Sequence, residues 1–124
     1  MMKIAETLAI QNDCMALVTG ESIGQVASQT MQSLYVTDMA VNMPVFRPLI
    51  GMDKDEVITL ARKIDTFETS ILPYDDCCTL FVAKHPKTKP RIEEVLRHEG
   101  EESLAAEMEE LIAKAIENVE DIYI

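Results

Sequence analysis

The sequence predicts an α/β protein, read as the second half of a doubly wound parallel-sheet domain with a helical C-terminal extension. Three observations predict it. Apolar spacing switches between helical and strand-like patterns in the order helix, strand, helix, strand, helix. Two segments read as strands, whereas a doubly wound sheet has about five or more, and the chain opens on a helix with no strand before it. Beyond Pro90 the pattern is helical throughout.

Each element has its own signal. "MKIAETLAIQN" places Ile4, Ala5, Leu8 and Ala9 at helical spacing. "CMALVTG" is a short continuous apolar run closed by Gly20, the pattern of a strand buried on both faces of a parallel sheet. "GQVASQTMQSLY" returns to helical spacing through Val26, Ala27, Met31 and Leu34, and "MPVFRPLIG" predicts a second strand with Pro44 and Pro48 near its ends. In "DKDEVITLARKI", Asp53 is a natural N-cap, Glu56 completes a capping box, and Val57, Leu60, Ala61 and Ile64 form the apolar stripe. Residues 65 to 89 are less regular. Pro90 is then expected in the first turn of a helix over "RIEEVLRHE", with Gly100 at its end, and "EESLAAEMEELIAKAIENVE" predicts a longer helix with Leu104, Met108, Leu111, Ile112 and Ala115 on one side. The expected division is therefore residues 1–90 and an acidic helical tail over 91–124. Two strands buried by helices would leave open sheet edges, so a homo-oligomer is expected.

Composition narrows the function classes. No apolar run approaches the ~20 residues of a membrane helix, and the start mixes Lys3, Glu6 and Asp13 into its apolar positions, unlike a secretory signal. A cytoplasmic protein with no membrane partner is expected, with Cys14, Cys77 and Cys78 reduced. The net charge of −11 argues against nucleic acid until its distribution is read. Eleven carboxylates lie beyond Pro90, opposed there only by Arg91, Arg97 and Lys114, and residues 1 to 89 are close to balanced. "AKHPKTKPR" is a small basic stretch in which Lys84, Lys87 and Lys89 are suited to a phosphate backbone or to a solvated surface.

Two motifs carry possible chemistry. "VTGESIGQVASQT" reads as strand, glycine-containing turn and helix, a geometry that aims backbone N–H groups and a positive helix end at a ligand above the strand. Ser22, Gln25, Ser28 and Gln29 are candidates to read ribose or base edges; the alternative is a tight connection with a small-residue helix packed on the sheet. The adjacent Cys77 and Cys78 in "ILPYDDCCTLF" admit several readings. As core residues they are of a small, often buried type, and their adjacency is then chance. As metal ligands they lack a partner pair, since His85 and His98 do not fall at zinc spacing. A bridge between neighbours is disfavoured, because Cα atoms ~3.8 Å apart fall short of the ~4.4 Å usual for a disulfide. Thiolate or persulfide chemistry needs cations nearby, which Lys84, His85 and Lys87 supply and Asp75 and Asp76 oppose. His98 reads as a surface residue near a helix end.

Four stretches, "TGESIGQVASQT", "MPVFRPLIGMDKDEVITLARKI", "ETSILPYDDCCTLF" and "KHPKTKP", resemble in this order the C-terminal part of the tRNA sulfurtransferases, the 4-thiouridine synthetases that also supply sulfur for thiamine thiazole. The resemblance runs from about Met1 to Pro90. It implies an ATP pyrophosphatase domain that adenylates O4 of a tRNA uridine and replaces it with sulfur from a cysteine persulfide loaded by a cysteine desulfurase. By resemblance, Gly20 and Gln29 touch the nucleotide with the Gly24 turn behind them, and Cys78, with Cys77 second, carries or resolves the persulfide. The family's Ser-Gly-Gly-x-Asp-Ser loop is missing here, as are its N-terminal RNA-binding region and a following rhodanese domain. The chain therefore reads as a fragment carrying half of a nucleotide site: ATP with Mg2+ belongs to the full-length enzyme, no tightly bound ligand is expected in the fragment, and the fragment alone is expected to be inactive. The competing readings are an ATP pyrophosphatase of the same fold with another acceptor, and a free-standing interaction module with an acidic helix.

Overall fold

The computed structural model describes residues 1–23, 29–74 and 89–122. Its elements are α1 (Met2–Gln11), β1 (Leu17–Val18), α2 (Met31–Met39), β2 (Val45–Phe46), α3 (Lys54–Lys63), α4 (Phe67–Ser70), α5 (Ile92–Glu99) and α6 (Glu102–Glu117). The two strands pair in parallel, Leu17 opposite Val45 and Val18 opposite Phe46, with Leu17 N–H donating to the Pro44 carbonyl at 2.9 Å and Thr19 N–H to Phe46 at 3.0 Å. The mixed α/β order with a parallel pair is the one the apolar spacing predicts. The strands are shorter than expected, two residues each.

Helix ends set the connections. After α1 the chain passes through Asp13 at φ 55, Cys14 N–H donating back to the Ala9 carbonyl at 2.8 Å and Asp13 N–H to Ile10 at 3.2 Å. This is a Schellman closure with aspartate in the left-handed position usually taken by glycine. It turns β1 back along α1. The end of α3 repeats the device: Asp65 sits at φ 59, Thr66 N–H donates to Ala61 at 2.9 Å and Asp65 N–H to Arg62 at 3.2 Å. The start of α3 is the expected capping box, Asp53 accepting from Glu56 N–H at 2.9 Å and Glu56 accepting from Asp53 N–H at 2.8 Å. Arg62 then stacks its guanidinium 4.6 Å from the Phe67 ring and ties α3 to α4.

The core lies on one face of the sheet. Ala9 from α1, Leu17 from β1 and Val41 after α2 form its buried centre, with Met2, Ala5, Met43 and Val45 packed around it. The other face is apolar but open, Val18 being 70% and Phe46 60% exposed. Strands apolar on both faces belong to a sheet covered on both sides. Only one cover is present among the described residues.

The C-terminal helices are not detached from this layer. Helix α6 packs against both α1 and α5, and Lys3 of α1 pairs with Glu99 of α5 at 3.3 Å. The inward side of α6 runs through Ala105, Met108, Ile112, Ala115 and Ile116, with Leu104 and Leu111 exposed. Met108, Ile112 and Ala115 thus lie on the expected side, joined by Ala105 and Ile116, while Leu104 and Leu111 of the expected stripe are exposed. Pro90 precedes the N-cap of α5, Arg91, rather than lying in its first turn, and Gly100 closes the helix as expected. His98 lies in the last turn of α5, exposed and 3.3 Å from Glu101, as read from its position.

Candidate functional site

The chain leaving β1 forms a strap over residues 19 to 23, pinned to the segment after β2. Thr19 N–H is held by the ladder bond to Phe46. The Ser22 hydroxyl donates to the Met52 carbonyl at 2.8 Å, and Ile23 N–H donates to the Ile50 carbonyl at 3.1 Å. Gln29 closes the far side, its Oε1 accepting from Ser22 N–H at 3.4 Å. Between these anchors Gly20 is exposed, and a Cβ added there would meet nothing within 4 Å. The backbone at Gly20 therefore faces open space at the carboxyl end of a parallel strand, where ligands of α/β layers collect.

Ser22 is corrected by this geometry. It is 2% exposed and its hydroxyl is spent on Met52, so it holds the strap and does not face a ligand. Gln29 is half-buried with its carbonyl oxygen turned to the strap. The helix expected from Gly24 onward starts, in the described residues, at Met31, and its first turn is capped from within: Thr30 Oγ1 accepts from Ser33 N–H at 3.2 Å. Gly24, Gln25 and Ser28 lie outside the described residues, as do Cys77, Cys78, Lys84, His85 and Lys87. Lys89 is exposed. Cys14 is an exposed free thiol, bonded only loosely to Asn12 O at 3.6 Å.

An ionic cluster under the strap is the feature that sequence reasoning missed. Arg47, next after β2, has a side chain only 10% exposed. Its Nε donates to Glu21 Oε2 at 2.7 Å, its guanidinium pairs with Asp38 Oδ1 at 2.8 Å, and a third nitrogen donates to Thr37 Oγ1 at 3.4 Å. The same Glu21 oxygen accepts from Thr19 Oγ1 at 3.0 Å. Burial alone would lower the Arg47 pKa, but the hydrogen bonds and charges of Glu21 and Asp38 outweigh it and hold the pKa above its ordinary value. The signal was available: an arginine flanked by apolar residues and proline in "VFRP" is an ionised group beside a strand that must find acids.

A groove of about 450 Å³ opens elsewhere, between α1, α2, α5 and α6, with Met2, Val36, Val95, Met108 and Ile112 among its walls. None of the sequence-predicted site residues lines it. Among the described residues no cluster of His, Cys, Asp or Glu is arranged to hold a metal ion, and no helix is long and apolar enough to cross a membrane.

A parallel strand pair flanked by helices, with an open glycine in a pinned strap at its carboxyl end, is an α/β layer of the kind in which ligands collect at strand ends. The family model for thiamine biosynthesis protein (ThiI) matches residues 1–104, and the chain belongs to that family. A probable tRNA sulfurtransferase of Acetivibrio thermocellus is 63% identical over 120 residues, covering 97% of this chain and 30% of its own length. Its counterpart from Agathobacter rectalis is 57% identical over 124 residues, covering 100% of this chain and 31% of itself. Among solved structures, a 4-thiouridine synthetase–RNA complex with bound ATP superimposes with a TM-score of 0.83 at 37% identity, over 94% of this chain and 29% of that one. The chain thus spans about a third of the length of the relatives it matches.

Proposed function

We propose that this chain forms part of an ATP-dependent tRNA sulfurtransferase that replaces O4 of a tRNA uridine with sulfur, making 4-thiouridine, and that also feeds sulfur to thiamine thiazole. The observation that carries the reading is the superposition of 94% of the chain on one stretch of a 4-thiouridine synthetase crystallised with RNA and ATP. It favours an enzyme part over a free-standing interaction module. In this reading, residues 1–90 supply the second half of the adenylating domain, and residues 91–124 buttress it through the packing of α6 on α1.

Gly20, Gly24 and Gln29 hold the nucleotide. ATP, with Mg2+, supplies the adenylyl group that makes O4 a leaving group. Gly20 fits such a ligand because its lack of a side chain serves no internal contact, leaving the strap backbone open to close approach. Cys78 carries the persulfide, received from a cysteine desulfurase, and Cys77 resolves it. Lys84, Lys87 and Lys89 face tRNA phosphates, where their charge adds affinity that falls with salt.

The Gly20 assignment is tested by Gly20→Ala in the full-length enzyme. The added methyl group meets nothing within the chain, so thermal stability is expected to change little. At a ligand contact the same methyl displaces the nucleotide, and the Kd for ATP is expected to rise about tenfold, on the order of 1.4 kcal/mol. Unchanged ATP affinity in a stable variant removes Gly20 from the site.

A further inference from the structure

We infer that Arg47 is a positioning residue for the nucleotide site: it does not touch the ligand but fixes the strap that carries Gly20. The inference rests on the nucleotide reading of Gly20 given above. Three partners converge on this one side chain from two parts of the chain: Glu21 from the strap, and Thr37 and Asp38 from the end of α2. Glu21 is the residue after Gly20, and the Glu21 oxygen that receives Arg47 also receives the hydroxyl of Thr19, the residue before it. The guanidinium thus sets both flanks of Gly20 through a single carboxylate.

Only arginine does this. Its planar fork sends Nε, Nη1 and Nη2 to three acceptors at fixed angles, while a lysine ammonium is a single point that follows one of them. Arg47 and Glu21 are 10% and 25% exposed, so the bond between them operates where water competes poorly, while Asp38, 51% exposed, is the wetter partner. Asp38 and Thr37 matter as the fixed end of the lever, since they belong to α2, whose Leu34 is buried.

The test uses the full-length enzyme with Arg47→Lys and, separately, Glu21→Gln, which keeps an acceptor but removes its charge. Steady-state thiolation is followed with ATP and tRNA varied in turn. The expected result is a KM for ATP raised about tenfold by Arg47→Lys and about threefold by Glu21→Gln, with kcat and the KM for tRNA within about twofold of the parent. A merely structural role lowers the active fraction, which appears in kcat and leaves both KM values alone; that result overturns the proposal. If Arg47→Lys does not fold, Glu21→Gln decides alone: a KM for ATP like the parent's overturns the proposal, and a raised one supports it. Gly20→Ala separates the two layers. A raised KM for ATP there with a normal value in both new variants refutes the positioning role, whereas normal values in all three refute the nucleotide reading itself.

Discussion

Cys78→Ala in the full-length enzyme is expected to abolish 4-thiouridine in bulk tRNA, a loss of at least about 10³-fold in rate, because a missing sulfur carrier has no substitute in the reaction. The host must lack its own copy of the enzyme. Cys77→Ala is expected to slow turnover while leaving thiolation measurable, since a resolving thiol attacks Cys78 Sγ of the carrier–uridine disulfide and frees the thiolated base, a step that small thiols in the cell perform in part. The contrast follows from what adjacent cysteines do well. Resolution by Cys77 leaves a strained bridge between neighbours, and a strained disulfide is readily reduced by cellular thiols, which resets the pair. Liquid chromatography of digested tRNA reads both variants. Full thiolation in each single mutant would make the pair packing residues, and the sulfur reading of "DDCC" would fall with it.

The largest stability effect is expected at the small core. Leu17 is 8% exposed and sits between Ala9 and Val41, so Leu17→Ala removes buried volume that few neighbours can fill. The expected cost is about 2–4 kcal/mol, a large share of the 5–15 kcal/mol that holds a typical domain together. Val18, the next residue, points to the open face, and Val18→Ala is expected to change stability by less than about 0.5 kcal/mol in the isolated chain. Urea unfolding of the two variants checks the face assignment: equal losses would mean that the register places the wrong residue inward.

What the sequence disclosed depends on how local its cause is. Helix α3 was legible residue by residue, because a capping box and an apolar stripe act within one helix. The ends of α1 and α3 were not, because aspartate rather than glycine takes the left-handed position, and nothing in "QNDC" or "KIDT" announces it. The strands read as longer than they are: among the described residues Met15 continues the apolar pattern with no paired residue opposite it, and Thr19 keeps only its N–H bond to Phe46. That Ala105 and Ile116 of α6 are more covered than Leu104 and Leu111 depends on which helices α6 meets, which periodicity does not contain.

The site shows the same division. Gly20 after an apolar strand marked the strap from sequence alone. That Ser22 would be spent on Met52, thirty residues away, and that Arg47 would gather Glu21 and Asp38, are consequences of a parallel pairing that brings distant segments together. Long-range contacts of this kind follow from the fold, and the fold was predicted only as a class.

The account's central claim is that these residues work as one part of an ATP-dependent tRNA sulfurtransferase. The most direct measurement puts this chain in place of the stretch of the Acetivibrio thermocellus relative that aligns with it, 63% identical over 120 residues, in cells without their own enzyme. The account predicts 4-thiouridine in the tRNA of those cells, lost again on Cys78→Ala. A soluble, folded chimera that binds tRNA but makes no 4-thiouridine, while the unexchanged relative does, would contradict it.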